Sequence, residues 1–285
     1  MVVDKASGMT SHDVVAKTRK SLGTREIGHA GTLDPMATGV LVLAIGEATK
    51  LVPYLTASDK EYEATIALGT TTDTLDADGK ETSRADVPSG WTSSLDTALE
   101  EERKRTMQLP PIYSAIHAKG ARSHERARRG EAVELDERPV RVIALEVLAT
   151  REAGRGLGAT VANDALDVRM TVSKGYYVRA LARDLATRLG TVGHLTALRR
   201  IRSGTFTLAD VGTTIPLVTA ATRVLPKTTL TETGVAHARA GRRVPLDDLG
   251  TNDDGEHAWL APDGTLVAIG RIEDGSGKVT RGFRY

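Results

Sequence analysis

The chain has 285 residues, of which 40% are hydrophobic and 26% charged, a composition typical of a folded globular protein. It contains no cysteine, which excludes disulfides, thiolate metal sites and cysteine nucleophiles. The N-terminus lacks the apolar core of a signal peptide and no apolar run approaches the length of a membrane span, so we expect a cytoplasmic protein that does not bind membranes.

Charge is distributed unevenly along the chain, although the formal net charge is only +1. Residues 117–130 carry a net charge of +4 and residues 174–202 one of +6, whereas residues 56–102 carry −9. A fold that brought the two basic segments onto one face would attract phosphate groups. Charge alone leaves a solvated surface of mixed sign as an equal alternative.

Apolar residues spaced three and four apart predict four helices. They cover residues 12–22, 47–56, 94–105 and 178–189. The first follows a capping pattern of Thr10 and Asp13 and ends at Gly23. In the last, Arg179 and Arg183 share a face away from the apolar stripe.

Strand patterns lie between these helices. Residues 40–45 form a continuous apolar run that predicts a strand buried on both faces. Further strands are expected at 61–68, 139–149 and 166–172. Because strands and helices mix without a regular strand–helix–strand rhythm, the sequence indicates an α+β fold with a mixed, largely antiparallel central sheet flanked by helices.

Beyond about residue 230 the pattern changes to short strand candidates separated by turn residues. They are residues 256–261, 265–272 and 278–284. This pattern predicts a small β-rich unit after the larger body. We therefore expect two domains, residues 1–225 and residues 226–285.

The segment at residues 28–39 reads GHAGTLDPMATG and predicts a rigid, irregular loop before the strand at 40. Pro35 biases the backbone of Asp34 away from the helical region, so the carboxylate could project in a fixed direction. A fixed carboxylate suits a catalytic acid or nucleophile. An ordinary Asp–Pro turn explains the same residues.

Other motifs give weaker signals. Residues 74–79 resemble the start of a calcium loop, but the twelfth position is Ala85 where glutamate is needed. The histidines lack a zinc spacing, so no metal site is expected. Four tyrosines beside basic or glycine-rich segments could stack on unpaired bases, although a single tyrosine is more often a core residue. These are Tyr62, Tyr113, Tyr176 and Tyr177.

Six segments in this order together resemble the bacterial tRNA pseudouridine-55 synthases, the TruB-type family, over nearly the whole chain. They are DKASGMTSHDVV (4–15), GHAGTLDPMATGVLVLAIGEATKL (28–51), DKEYEATIALGTTTDTLDADG (59–79), LPPIYSAIH (109–117), SKGYYVRALARDL (173–185) and HLTALRRIRSGTF (194–206). The resemblance implies the pseudouridine synthase fold, with a small PUA-like RNA-binding domain at the C-terminus. It implies no cofactor.

The resemblance also implies roles for individual residues. Asp34 matches the catalytic aspartate of the GTLDP motif, and Arg179 matches the arginine that pairs with it. Tyr62 matches the tyrosine that packs on the target base, and His29 matches the histidine that helps to fill the gap left by the flipped base. The other matches are Tyr177 and Leu198, which line the uridine pocket, and Lys5, a structural support.

These matches imply that uridine 55 in the T loop of tRNA is isomerised to pseudouridine. The base flips out of its stack, the glycosidic bond breaks, and the base rejoins the sugar through C5. Asp34 would stabilise or attack the anomeric carbon, attack the base, or promote a glycal-type elimination, and these routes all stay open. The expected partner is the T-arm stem-loop of tRNA, bound by a monomer without a guide RNA.

Three alternatives compete with this interpretation. A tRNA-binding or folding factor needs no chemistry, and the intact Asp34, Tyr62 and Arg179 argue against it. A guide-dependent pseudouridine synthase is disfavoured by Ala30 and by MATG at 36–39, which are typical of bacterial members. A glycoside hydrolase would need a second carboxylate that no motif supplies.

Overall fold

The computed structural model describes residues 1–114, 129, 134–153 and 164–284, and the backbone of 117–118 and 121–122. The strands are β1 (Val2–Lys5), β2 (Ile27–His29), β3 (Thr38–Ile45), β4 (Lys60–Leu68), β5 (Thr70–Thr72), β6 (Glu81–Arg84), β7 (Met107–Gln108), β8 (His117–Ala118), β9 (Ala121–Arg122), β10 (Arg138–Pro139), β11 (Val142–Arg151), β12 (Ala165–Val172), β13 (Gly193–Ser203), β14 (Phe206–Thr207), β15 (Lys227–Thr229), β16 (His257–Leu260), β17 (Leu266–Glu273) and β18 (Ser276–Gly282). The helices are α1 (Ser11–Leu22), α2 (Val52–Ala57), α3 (Leu95–Arg103), α4 (Val178–Arg188), α5 (Leu217–Val224) and α6 (Glu232–Arg239).

An eight-stranded sheet forms the body, with β1, β3, β13, β4, β12 and β11 side by side in that order and β2 and β14 paired to β3 and β13. β13 pairs with β3 in parallel, and the other pairings within this sheet are antiparallel. The prediction of an α+β fold with a mixed, largely antiparallel sheet is confirmed.

β3 lies between two apolar clusters. Its central positions are buried on both faces, as the continuous apolar run predicts. Because strand side chains alternate, Leu41 and Leu43 enter a first cluster with apolar residues of α1, α3 and α4. Val40 and Val42 enter a second cluster on the opposite face, which includes Phe206.

The C-terminal strands form a separate sheet in the order β15, β16, β17, β18. Trp259, almost fully buried, lies in its own apolar cluster with residues from α6. Leu266 and Ile269 of the same sheet join the second cluster of the body, so the two parts share buried surface. The division into residues 1–225 and 226–285 remains a prediction.

Local sequence rules explain most helix ends. Thr10 caps α1 through a reciprocal capping box with Asp13, and Gly23 ends the helix with φ of 63°. The helix expected at 47–56 is instead a 3-10 turn, Gly46–Leu51, followed by α2. Pro53, near the start of α2, has no amide hydrogen to continue the preceding turn as one α-helix.

Two segments singled out by composition, the basic residues 117–130 and the glycine-rich residues 151–165, lie largely outside the described residues. The strand expected from residue 139 begins at Val142, because Arg138 and Pro139 pair with β7 instead. In the described part of the chain, every helix is too short or too polar to cross a lipid bilayer.

Candidate active site

Asp34 lies in the loop between β2 and β3, and backbone hydrogen bonds hold this loop. The carbonyl oxygen of Asp34 accepts from the amide of Ala37 at 3.1 Å. The carbonyl oxygen of Pro35 accepts from the amide of Gly8 at 2.9 Å and from Nζ of Lys5 at 3.0 Å. The carboxylate of Asp34 therefore projects from a backbone that hydrogen bonds fix at both Asp34 and Pro35.

Lys5 ends β1 and is almost completely buried. Besides Pro35, its ammonium donates to the carbonyl oxygens of Ala6 at 2.9 Å and Met9 at 2.6 Å. Burial lowers the pKa of Lys5, and the nearby carboxylate of Asp34 opposes this effect. Lys5 thus ties the end of β1 to the Asp34 loop.

Arg179, in the first turn of α4, binds Asp34 through two hydrogen bonds. Its Nε lies 2.9 Å from Oδ2 of Asp34, and its Nη2 lies 3.1 Å from Oδ1. The other guanidinium contacts are to the carbonyl oxygens of Thr74 and Tyr113, both at 2.9 Å. The side chain of Arg179 is 6% exposed and that of Asp34 30% exposed, so the carboxylate faces open space while the guanidinium behind it is enclosed.

Asp76 brings a second carboxylate to Arg179, with Oδ2 3.7 Å from Nε. It is buried, and burial raises the pKa of its carboxyl group. The Thr74 hydroxyl and the Asp78 amide donate to its Oδ1 at 2.5 and 3.2 Å. Arg179 therefore lies between two carboxylates, of which only that of Asp34 reaches solvent.

The segment of Asp76 belongs to one of the six family motifs, but the sequence assigned no role to Asp76 itself. Leu75 has φ of 62°, which is uncommon for a residue with a side chain, and Gly79 has no room for a Cβ because that atom would lie 2.2 Å from the hydroxyl of Thr74. The signal in the sequence was a glycine-ended acidic turn, and only the fold brings it to Arg179. Within the described ranges, no group of three acidic or histidine side chains could hold a metal ion.

Tyr177 precedes α4 and is held by the side chain of Gln108. The amide of Tyr177 donates to Oε1 of Gln108 at 2.8 Å, and Nε2 of Gln108 donates to the carbonyl oxygen of Tyr177 at 3.2 Å. Gln108 is 1% exposed, so water does not compete for these bonds. Burial raises the pKa of the Tyr177 hydroxyl above its ordinary value.

The other predicted site residues lie on the strands around this centre. His29 ends β2, half-buried, with its ring centroid 5.3 Å from that of His12. Burial and the proximity of His12 lower the pKa of His29. Tyr62 on β4 is half-buried, and Leu198 on β13 is buried in the first apolar cluster. Strand pairing brings these residues near the Asp34 loop. Among the predicted site residues, only Arg179 donates hydrogen bonds to the carboxylate of Asp34.

Arg200, one of the cations of the basic segment 174–202, supports the Asp34 loop from inside the protein. It is 1% exposed, and its guanidinium donates to the carbonyl oxygens of Gly31, Thr32 and Val40 at 3.1, 3.4 and 2.7 Å. Its backbone pairs with both Gly39 and Tyr62. Arg200 therefore fixes the Asp34 loop from beneath.

The charge pattern of residues 174–202 left a basic face and a surface of mixed sign as alternatives, and the structure supports the second for most of these cations. Arg179 and Arg200 point inward, and the other arginines of the segment bind carboxylates, Arg183 within its own helix and the rest on neighbouring elements. These pairs are Arg183 with Asp184, Arg188 with Glu101 and Glu102, Arg199 with Asp4, and Arg202 with Glu61. The prediction that Tyr176 could stack on an unpaired base is wrong. Its side chain is buried in the core, where the hydroxyl donates to Oε1 of Glu102 at 2.7 Å.

Comparison with known proteins agrees with this architecture. The family model described as TruB family pseudouridylate synthase, N-terminal domain, matches residues 19–178. The tRNA pseudouridine synthase B of Thermobifida fusca is 41% identical over 97% of this chain and 95% of its own length. The protein of the same name from Streptomyces coelicolor is 42% identical over 98% of this chain and 94% of its own length.

Solved structures have the same fold. A chain of a Cbf5–Nop10–Gar1 complex superposes with a TM-score of 0.70 at 25% identity, covering 99% of this chain and 84% of that chain. A chain of an H/ACA RNP bound to a substrate RNA gives a TM-score of 0.67 at 24% identity, covering 100% and 85%. The fold, with a carboxylate presented by an enclosed arginine, is that of a pseudouridine synthase. The chain belongs to the TruB family, and its type is bacterial.

Proposed function

We propose that this chain converts uridine 55 in the T loop of tRNA to pseudouridine, with Asp34 as the essential carboxylate. The observation that carries the proposal is the two-bond contact between Arg179 and the partly exposed Asp34. It occurs in a chain whose relatives at about 40% identity are named tRNA pseudouridine synthase B. The proposed setting is the cytoplasm, with the T-arm of tRNA as partner and no guide RNA.

The reaction exchanges one bond to the sugar for another. The bond between C1′ and N1 of the uracil breaks, the base turns, and C1′ bonds to C5. The hydrogen on C5 is lost and N1 gains one, so the atoms balance without an oxidant, a reductant or an energy source. Asp34 stabilises positive charge at C1′ or attacks it, as carboxylates do at anomeric centres.

Arg179 keeps Asp34 in the geometry that this step needs. A guanidinium with two parallel bonds fixes both carboxylate oxygens, which an ammonium cannot do. The carbonyl oxygens of Thr74 and Tyr113 use its other donors and prevent it from turning away. Because the side chain of Arg179 is enclosed, the substrate approaches from the Asp34 side.

The remaining assigned residues bind the flipped nucleotide in this proposal. Tyr62 packs on the uracil, and Tyr177 with Leu198 lines its pocket. His29 occupies the gap that the base leaves in the RNA, and its lowered pKa favours a neutral ring that can enter a base stack. Filling the gap offsets part of the unstacking free energy of a few kcal/mol.

We also propose residues 226–285 as a PUA-like RNA-binding unit. Arg239 and Arg242 are exposed there, and neither forms an ion pair with a described residue. Because the unit shares an apolar cluster with the body, deletion would expose core surface, and substitution is the cleaner test. Arg239→Ala with Arg242→Ala should weaken full-length tRNA binding more than binding of an isolated T-arm stem-loop.

The deciding experiment incubates the purified chain with an unmodified tRNA transcript and maps pseudouridine at nucleotide resolution. A transcript with cytidine at position 55 is the control. Pseudouridine at position 55 alone supports the proposal, and an unmodified T loop contradicts it. Modification that needs an added guide RNA would favour the guide-dependent alternative, and tight binding without modification would favour a tRNA-folding factor.

A further inference from the structure

The second half of α1 and the turn that follows carry four basic residues, which we call the α1 basic patch: Lys17, Arg19, Lys20 and Arg25. All four are exposed, and a shallow, open groove of about 640 Å³ lies against Arg19, Lys20 and Arg25, between the end of the helix and the turn. Arg19 donates to the carbonyl oxygen of Ile27 at 2.7 Å. Among the described residues, none of the four forms an ion pair.

The patch differs from the other basic surfaces of the body. On the open faces of the sheet, arginines are paired with acids at short range. Examples are Arg169 with Glu63 at 2.6 Å, Arg199 with Asp4 at 2.6 Å and Arg202 with Glu61 at 2.8 Å. Pairing cancels most of the long-range field of these arginines, whereas the four cations of the α1 basic patch keep theirs.

Helix capping explains only part of the patch. Basic side chains in the last turn of a helix stabilise its C-terminal dipole, and Arg19 and Lys20 occupy that turn. Lys17 lies before the last turn, and Arg25 lies beyond the helix. Lys17 and Lys20 are three residues apart on one face of the helix, so their like charges repel each other. An anion bound across them would offset this repulsion.

α1 is fixed to the Asp34 loop at its other end. The hydroxyl of Ser11, the first residue of α1, accepts from the amide of Leu33 at 2.9 Å and donates to its carbonyl oxygen at 3.3 Å. His12 contacts His29 edge to face. A helix rises about 1.5 Å per residue, so the three patch residues on α1 lie within about 14 Å of Ser11 along the helix axis.

We propose that the α1 basic patch binds the sugar–phosphate backbone of the RNA whose target base occupies the Asp34 site. This inference rests on the proposed function for the identity of that RNA. The contact is to phosphates, so it contributes affinity and orientation without reading sequence. It extends the RNA surface from the pocket to the far end of α1.

The test compares two double variants that remove the same charge. Lys17→Ala with Lys20→Ala alters the patch. Lys80→Ala with Lys104→Ala removes two exposed lysines in or beside the acidic segment 56–102, and neither pairs with an acid of the described chain. Dissociation constants for a T-arm stem-loop are measured over a range of salt concentrations. The rate of a single turnover is measured at saturating RNA.

The patch variant should bind about 10-fold more weakly at low salt, and the slope of log affinity against log salt should fall by about 0.7–0.9 for each phosphate that the patch no longer neutralises. Its saturated rate and the binding of the control pair should stay at the wild-type values. A wild-type slope in the patch variant, or an equal weakening in the control pair, would overturn the inference. The slopes require binding only, so they decide on the patch even if the wild type leaves position 55 unmodified, which would count against the proposed function instead.

Discussion

The guanidinium of Arg179 binds both carboxylate oxygens of Asp34, at 2.9 and 3.1 Å, although the two residues are 145 positions apart in the chain. Arg179 comes from the start of α4, and Asp34 from the loop that enters β3. The contact therefore joins a helix on one face of the sheet to a loop at the end of a central strand. This contact holds the carboxylate of Asp34 in one orientation, and variants of either residue test what that orientation contributes.

Asp34→Asn should lower turnover by about 10⁴-fold, because the amide can neither stabilise nor attack a cationic C1′. The affinity for tRNA should stay within a few-fold, since phosphate contacts elsewhere supply most of the binding. Single-turnover conversion and filter binding measure the two effects. Asp96→Asn, an exposed carboxylate on α3, is the matched control, and comparable activity in the Asp34 variant would remove Asp34 from the mechanism.

Arg179→Lys should lower the single-turnover rate by about 10²-fold, because one ammonium cannot fix both oxygens of Asp34. It should also lower the free energy of unfolding, since the carbonyl oxygens of Thr74 and Tyr113 lose their guanidinium donors. Arg183→Lys, on the next turn of α4, is the control and should change neither quantity appreciably. Equal rates for the two variants would show that the two-bond contact is dispensable.

Gln108→Leu should destabilise the protein by about 1–3 kcal/mol, because the amide and the carbonyl of Tyr177 lose their partners inside the fold. Denaturant unfolding measures this change. The turnover rate at saturating tRNA should also fall, since Tyr177 begins the helix that carries Arg179. A variant with wild-type unfolding and a wild-type rate would mean that water or another side chain replaces the amide of Gln108.

The buried Lys60 should make the free energy of unfolding depend on pH in the alkaline range. It is buried, its ammonium donates to the carbonyl oxygens of Thr56 and Ser58, and burial lowers its pKa from 10.5 to about 8. Between these two pH values the unfolded chain binds a proton that the folded chain has released, so this group favours folding increasingly as the pH rises. Below about pH 8 both the folded and the unfolded chain bind this proton, so Lys60 contributes no pH dependence there.

The measurement compares the unfolding free energies of the wild type and of Lys60→Met from pH 7.5 to 10.5. The wild type should gain between about 1 and 3 kcal/mol relative to the variant across the upper part of this range. Other lysines and tyrosines titrate in both proteins and cancel in the difference. A constant difference over the whole range would mean that Lys60 keeps an ordinary pKa in the folded protein.

The sequence by itself determined the features that depend on neighbouring residues. The apolar run before Gly46 specified a strand buried on both faces, and Thr10, Asp13 and Gly23 specified the ends of α1. The six motifs together specified the family and named Asp34 and Arg179. Each of these features depends on neighbouring residues or on several motifs taken together, so it can be inferred without knowledge of the fold.

The tertiary structure decided which charges face inward, because pairing depends on residues far apart in sequence. Arg200 and Arg202 look alike in the sequence, yet the first is buried beneath the Asp34 loop and the second pairs with Glu61. Asp76 reaches Arg179 only through a turn with an unusual backbone angle at Leu75. A basic segment in sequence is therefore not a basic surface, since the partners that neutralise it come from other strands and helices.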